Sequence, residues 1–208
     1  MELQARDREI LAFISHVKVV TIKIIHDAFF RKTARSTEAC RRRLQKLTQA
    51  GYLQSFTDGF GREHLYRLSP RESREIEDEE LTLARFYVAL KRLEIPILKA
   101  DFYSKFGPTT MGLIALVRIH KENTLLLVQS NRIKAFPTKK IDQCFFKEEY
   151  REQVNECLQE YEALNIDKVT FVSLSDFQVP ISLNVKPIRI GADITDLTPL
   201  IGPHAPLV

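Results

Sequence analysis

The chain has 208 residues, 44% hydrophobic and 28% charged, with a net charge of +4. That length allows one or two domains with cores of ordinary size, and no apolar run reaches the roughly 20 residues of a membrane span. The N-terminal MELQARDREI lacks the apolar stretch of a signal peptide, and Cys40, Cys144 and Cys157 show no CxxC spacing, so export, a disulfide framework and a zinc knuckle are not expected and a cytoplasmic location is. Residues 1–69 hold 13 Lys and Arg against 7 Asp and Glu, whereas the rest hold 18 against 20. A basic excess confined to one half predicts that this half faces a polyanion.

In chain order, Ile10, Leu11, Ile14 and Val17 recur at helical spacing and predict a first amphipathic helix over Arg6–Val17. Thr21 is a good N-cap for a second helix with Ile22, Ile25, Ala28 and Phe29 on its stripe. A third begins at Ser36 or Thr37 and runs to about Ala50, with Gly51 as its terminator. Residues 52–56 and 62–68 alternate apolar and polar about Asp58-Gly59-Phe60-Gly61, the pattern of a β-hairpin with a turn too short to be a phosphate loop. Residues 71–80 are almost all charged and read as a linker or the start of a solvated helix.

A strong helix is expected from Leu81 to Leu93. Near-continuous apolar strands follow at 112–119 and 124–128, joined by the polar turn 120–123 and buried on both faces. A helix over Glu148–Leu164, a strand at Lys168–Leu174 and a weaker strand at Ile188–Ile190 complete an α/β layer, with 194–208 a Pro-containing tail or irregular cap. The expected organisation is α+β: a first domain over 1–70, the charged stretch 71–80, and a second domain over 81–193 for dimerisation or regulation.

On a wheel of the third helix, Cys40, Leu44 and Leu47 share the core side. The opposite side carries Arg35, Glu38, Arg42, Gln45, Lys46 and Gln49, with Arg41 on its flank and Arg43 turned toward the core edge. Three helices and a hairpin with this basic outer face match a winged helix-turn-helix whose third helix enters the major groove of double-stranded DNA. Arg suits guanine and Gln adenine in bidentate contacts; Ser36 and Thr37 at the helix start, and Arg62 and His64 on the hairpin, suit phosphates. The five histidines form no ligand spacing, Cys40 reads as a small buried hydrophobe, and Asp176 and Asp193 read as loop formers, so neither a cofactor nor a catalytic group is expected.

The run Arg6-Asp7-Arg8-Glu9-Ile10-Leu11, the stretch Ile22 to Phe30, Arg42-Arg43-Leu44-Gln45-Lys46-Leu47 with Ala50-Gly51-Tyr52-Leu53, and His64 to Pro70 together resemble the replication-relaxation family of winged-helix proteins of plasmids, phages and conjugative elements. The resemblance covers about a third of the chain. It implies a regulator of transcription or replication and a second domain similar to restriction-endonuclease-like folds. Nucleases of that wider group hold Mg²⁺ with paired acids on the second and third strands, beside a lysine. The corresponding stretches here read as Pro108-Thr109-Thr110 and Gln129-Ser130-Asn131, which lack those acids, so a degenerate, non-enzymatic domain and a homodimer on DNA are expected. The alternative is a metal-dependent nuclease or nicking enzyme targeted by the winged helix, with Asp101, Asp176 or Asp193 as its acids. A third reading makes the winged helix a module for a protein partner, and an effector pocket in the second domain has no residue pattern announcing it.

Overall fold

The computed structural model describes residues 2–31, 36–57, 63–68, 78–130, 136–177, 180–182 and 184–202. The fold is α+β and divides into two compact units, Met1–Val88 and Ala89–Val208. The expected turn 58–61, most of the charged stretch (71–77) and the end of the tail (203–208) lie outside the described residues.

In the first unit, α1 (Ala5–Val17), α2 (Ile22–Phe29) and α3 (Ser36–Gln49) precede a hairpin of β2 (Leu53–Thr57) and β3 (His64–Leu68). The second helix starts where its cap predicts: the Thr21 hydroxyl accepts the Ile24 N–H at 3.3 Å, satisfying one of the donors a helix start leaves open. Beyond the expectation, Val20–Thr21 form a two-residue strand, β1, paired antiparallel with Tyr66 and Leu65 of β3. Two residues carry no periodicity, so only the pairing reveals them.

Asp7 and Arg43 join α1 to α3. Asp7 is fully buried, Arg43 donates from Nε and Nη2 to both of its carboxylate oxygens, and Asp7 also accepts the Gln4 N–H at 2.7 Å. A buried carboxylate is tolerated when paired and hydrogen-bonded in this way. The guanidinium holds the Asp7 carboxyl below its usual range, by hydrogen bonding first, against the opposing effect of burial.

The helix α4 (Asp78–Arg92) begins with three acids and ends with Lys91 and Arg92, matching its dipole. The expected break at 71–80 and the observed boundary after Val88 differ because α4 starts within the first unit, where Tyr87 stacks on Phe13 at 5.7 Å. Residues 78–80, assigned to a charged linker or helix start, are its first turn.

The second unit is built on a five-stranded sheet, ordered β10 (Ile188–Ile190), β9 (Lys168–Leu174), β8 (Glu122–Ser130), β7 (Leu113–Ile119), β4 (Ile97–Phe102). The pairs β4–β7 and β7–β8 are antiparallel; β8–β9 and β9–β10 are parallel. A parallel pair needs a crossover, which α6 (Glu148–Glu162) supplies between β8 and β9. Residues 113–117 and 124–128 are buried without alternation, as central strands covered on both faces should be. One face packs Ile114, Leu116, Leu125 and Leu127 against Val154, Cys157, Leu158 and Tyr161 of α6.

Besides the short helices below, the sequence reading left unassigned β4 and the ribbon β5 (Lys105–Phe106) with β6 (Thr109–Thr110). β4 is half-buried at nearly every position and bulged between Ile97 and Lys99, so its alternation is blurred. The short helices α5 (Thr138–Asp142) and α7 (Thr198–Ile201) complete the unit. Within the expected tail, Thr198–Ile201 form α7, whose Ile201 is buried and pairs its carbonyl with His120 Nε2 at 2.5 Å. Asn123, expected in a polar turn, clasps the α6–β9 connection: its amide donates to the Leu164 and Asn165 carbonyls at 2.8 and 3.0 Å.

Arg43→Ala leaves Asp7 buried and unpaired and is expected to lower stability by about 3–5 kcal/mol, whereas Arg41→Ala, at the surface, should change it by less than ~0.5 kcal/mol in urea unfolding. Because the pair lowers the Asp7 carboxyl from its ordinary 3.8, its contribution is complete above that pH and is lost as pH falls through the lower folded-state value. Asp7→Asn should therefore flatten the acid limb of a pH–stability profile. Tyr161→Phe, which removes a donor to Asp101 and keeps the ring, should cost about 1–3 kcal/mol by the same unfolding assay.

Candidate nucleic-acid interface

The outer face of α3 follows from what its inner face must do. Cys40, Leu44 and Leu47 are fully buried, and the Cys40 thiol lies 3.7 Å from the Ile22 carbonyl of α2. Burial pushes that thiol up to about 12, so it is protonated and serves as a packing group. At 3.6 residues per turn, the remaining positions must face out, and Thr37, Glu38, Arg41, Arg42, Gln45, Lys46 and Gln49 are all exposed.

Of the arginine triplet, Arg43 is committed to Asp7, leaving Arg41, Arg42 and Lys46 as outward cations. Glu38 opposes them: it accepts from Arg41 Nη1 at 3.2 Å and Arg42 Nε at 2.9 Å. The i,i+3 and i,i+4 spacing of Glu38 carries this signal in the sequence, although the sequence reading gave Glu38 no role. Such pairs are weak because they are solvated; the side chains of Glu38, Arg41 and Arg42 are 47%, 60% and 73% exposed.

Ser36 opens α3 with its side chain outside the described residues, as are Arg35 and Arg62 entirely. His64 is exposed at the start of β3, opposite Thr57 in the hairpin register. The structure therefore groups Arg41, Arg42, Gln45 and Lys46 on one helix face and sets His64 on the hairpin of the same unit. Arg67, which the sequence did not single out, stiffens that hairpin: its guanidinium lies 4.9 Å from the Phe56 ring centre and donates to Gln54 Oε1 at 3.1 Å.

In the second unit the expected strand register changes. Pro108-Thr109-Thr110 belongs to the β5–β6 ribbon and not to the second long strand, because Gly107, at φ +56°, turns the chain tightly against α6. A Cβ at Gly107 would lie 2.8 Å from Cys144 Sγ and 3.1 Å from Val154 Cγ2, which explains the glycine. The residue set beside Gln129 is Gly112, whose N–H donates to Gln129 Oε1 at 3.0 Å. Neither offers a carboxylate, so this pair does not fit a metal site; Asn131 is outside the described residues.

The three candidate acids are each engaged. Asp101 accepts from Tyr161 Oη at 2.6 Å and lies 3.5 Å from Lys99 Nζ. Burial, and then the Asp101 carboxylate beside it, push the Tyr161 phenol up, so it stays a donor. Asp176 accepts the Ala192 N–H at 2.9 Å, and Asp193 accepts the Thr195 hydroxyl at 3.0 Å, as loop-forming carboxylates do. Among the described residues, no three His, Cys, Asp or Glu side chains gather as a metal would require. A shallow polar groove of about 520 Å³ lies between the β5–β6 ribbon and α6, lined by Lys105, Thr109, Tyr150 and Glu156 among others.

Thiol-labelling checks the orientation of α3: Cys40 should react at the rate of global unfolding, since a buried thiol with little thiolate is protected. Reaction of Cys40 in the folded protein as fast as a free thiol would reverse the assignment of inner and outer faces. Comparison with known protein families, with curated proteins and with solved structures finds no match to this chain in any of the three.

Proposed function

We propose that the first unit is a winged-helix module that binds double-stranded DNA with α3 in the major groove, and that the protein regulates transcription or replication of a mobile bacterial element. The observation that carries this reading is the outward stripe Arg41, Arg42, Gln45 and Lys46, on a helix clamped from behind by Asp7–Arg43 and followed by a hairpin. A guanidinium and a carboxamide on such a face match guanine and adenine edges, and the ammonium and hairpin groups suit phosphates. Exchanging the solvated Glu38 pairs for DNA contacts sacrifices about 0–1 kcal/mol each, little against a bidentate base contact of about 1–3 kcal/mol. The link to mobile elements comes from the resemblance of residues 6–70 to replication-relaxation proteins. A cytoplasmic homodimer on a two-fold operator belongs to the same proposal.

For the second unit we read a restriction-endonuclease-like fold without its metal centre. Three antiparallel strands (β4, β7, β8), the helix α6 and the parallel strand β9 support it. The Gly112–Gln129 pair, with no carboxylate, favours a binding or dimerising role over cleavage. Thr109, assigned to that place by the sequence, is replaced by Gly112 in this reading.

Mobility-shift assays across the region upstream of the protein's own gene test the proposal; failure to shift any duplex at low salt sinks it. On the preferred site Arg42→Ala is expected to cost about 1–3 kcal/mol and to relax one base position, while Lys46→Ala lowers the salt slope by about 1. Arg62→Ala should weaken all sequences alike. Glu38→Gln should tighten low-salt binding to any duplex by releasing Arg41 and Arg42. Nicking of plasmid DNA with Mg²⁺ or Mn²⁺, abolished at Asp101, Asp176 or Asp193, would install the nuclease instead.

A further inference from the structure

Glu38 is the one acid in α3, and it stands with Arg41, Arg42 and Lys46 on the face that looks outward. A stripe that only gripped phosphates would be weakened by such a carboxylate, because it ties up Arg41 and Arg42. An acid in the first turn also suits the helix dipole, yet that effect asks for no particular side-chain direction. Glu38 has one: Oε2 accepts from Arg41 Nη1 at 3.2 Å and Oε1 accepts from Arg42 Nε at 2.9 Å. The side chain is 47% exposed, and a carboxylate offers about four lone-pair sites, so it can take a further donor from outside. Arg42 engages Glu38 through Nε alone, which keeps its terminal amino groups open while the pair persists.

The N-terminal part of a helix laid in the major groove is the part that meets base edges, and Glu38 is the third residue of α3. A carboxylate there can accept and cannot donate. Guanine presents acceptors, thymine an acceptor and a methyl group, and adenine sets its N7 acceptor beside its N6 donor; cytosine alone offers a donor, N4–H, with no acceptor of its own beside it. Arg42, one helical turn on, has the fork that matches guanine O6 and N7. Four residues of helix rise roughly 6 Å, less than two base-pair steps of about 3.4 Å, so the two side chains address neighbouring positions.

We infer that Glu38 is a specificity-determining residue that reads cytosine, within about two base pairs of a guanine read by Arg42. The inference rests on the DNA reading proposed above and names the sequence feature that its helix selects. Sequencing the duplexes that the full chain enriches from a randomised pool at physiological salt tests it. The wild type should enrich cytosine at that spacing from guanine. Glu38→Ala should lose the cytosine and keep the guanine, and Arg42→Ala should do the reverse. Glu38→Gln keeps the shape without the charge; it should move that position toward adenine and lower the ratio of affinities for selected and unrelated duplexes by about 10-fold. If Glu38→Ala fails to fold, Glu38→Gln decides alone. A helix-stabilising role would lower the thermal melt of both variants and leave the base profile unchanged. An unchanged profile overturns the inference, as does a selected site without that cytosine, or duplex binding with no base preference. Each of these results leaves the DNA reading standing, whereas a wild type that shifts no duplex at low salt overturns that reading itself.

Discussion

A carboxylate with no solvent access must be matched group for group, and in the first unit that demand falls on Asp7. Two guanidinium donors from Arg43 and the N–H of Gln4 meet it. The match has a geometric consequence, because a bidentate pair fixes both the separation of its helices and the rotation of each about its axis. Once Arg43 is held at the α1 side, Cys40, Leu44 and Leu47 can only face the core, and Arg41, Arg42, Gln45 and Lys46 can only face water. The outward stripe on which the functional reading rests is thus set by an ion pair that takes no part in it.

The second unit depends on a different constraint. Its two central strands are too apolar to face water on either side, so they need cover on both faces, and the parallel pairing of β8 with β9 obliges the chain to cross over. The crossover helix α6 is locked to the sheet edge by the buried Tyr161 hydroxyl on Asp101, with Lys99 4.4 Å above the same ring. Just past the same end, Asn123 fastens the return into β9. One product of this arrangement is the sharp turn from α5 into α6, which has nowhere to bury Phe145 and Phe146 because Cys144 and Ile141 already fill the inward positions.

Legibility in the sequence tracks how local each signal is. The three N-terminal helices, the hairpin, α4, α6 and strands β7 to β10 were readable because periodicity and caps act within a few residues: Thr21 reaches only to Ile24, and β8 announces itself by four consecutive buried apolar residues. β4 was not readable, since an edge strand that is half-buried and bulged has neither alternation nor a continuous apolar run. β1 and the β5–β6 ribbon are two-residue strands defined wholly by their partners. The candidate interface followed the same rule. Its helix-face residues could be taken from a wheel, whereas the bracing of the hairpin by Arg67 over Phe56 required knowing that β2 and β3 pair in this register.

By itself, then, the sequence determined where the longer helices and the continuous or alternating strands lie, which side of α3 is apolar, and that positive charge gathers in the first 69 residues, because all three depend on residue type and short-range spacing. Only the tertiary structure decided that Arg43 leaves the basic triplet to meet Asp7, 36 positions away. It alone set Gly112, rather than Thr109, beside Gln129, and left two phenylalanines at a charged corner. Each of these turns on which distant groups become neighbours when apolar faces are buried, and neither composition nor periodicity carries that information.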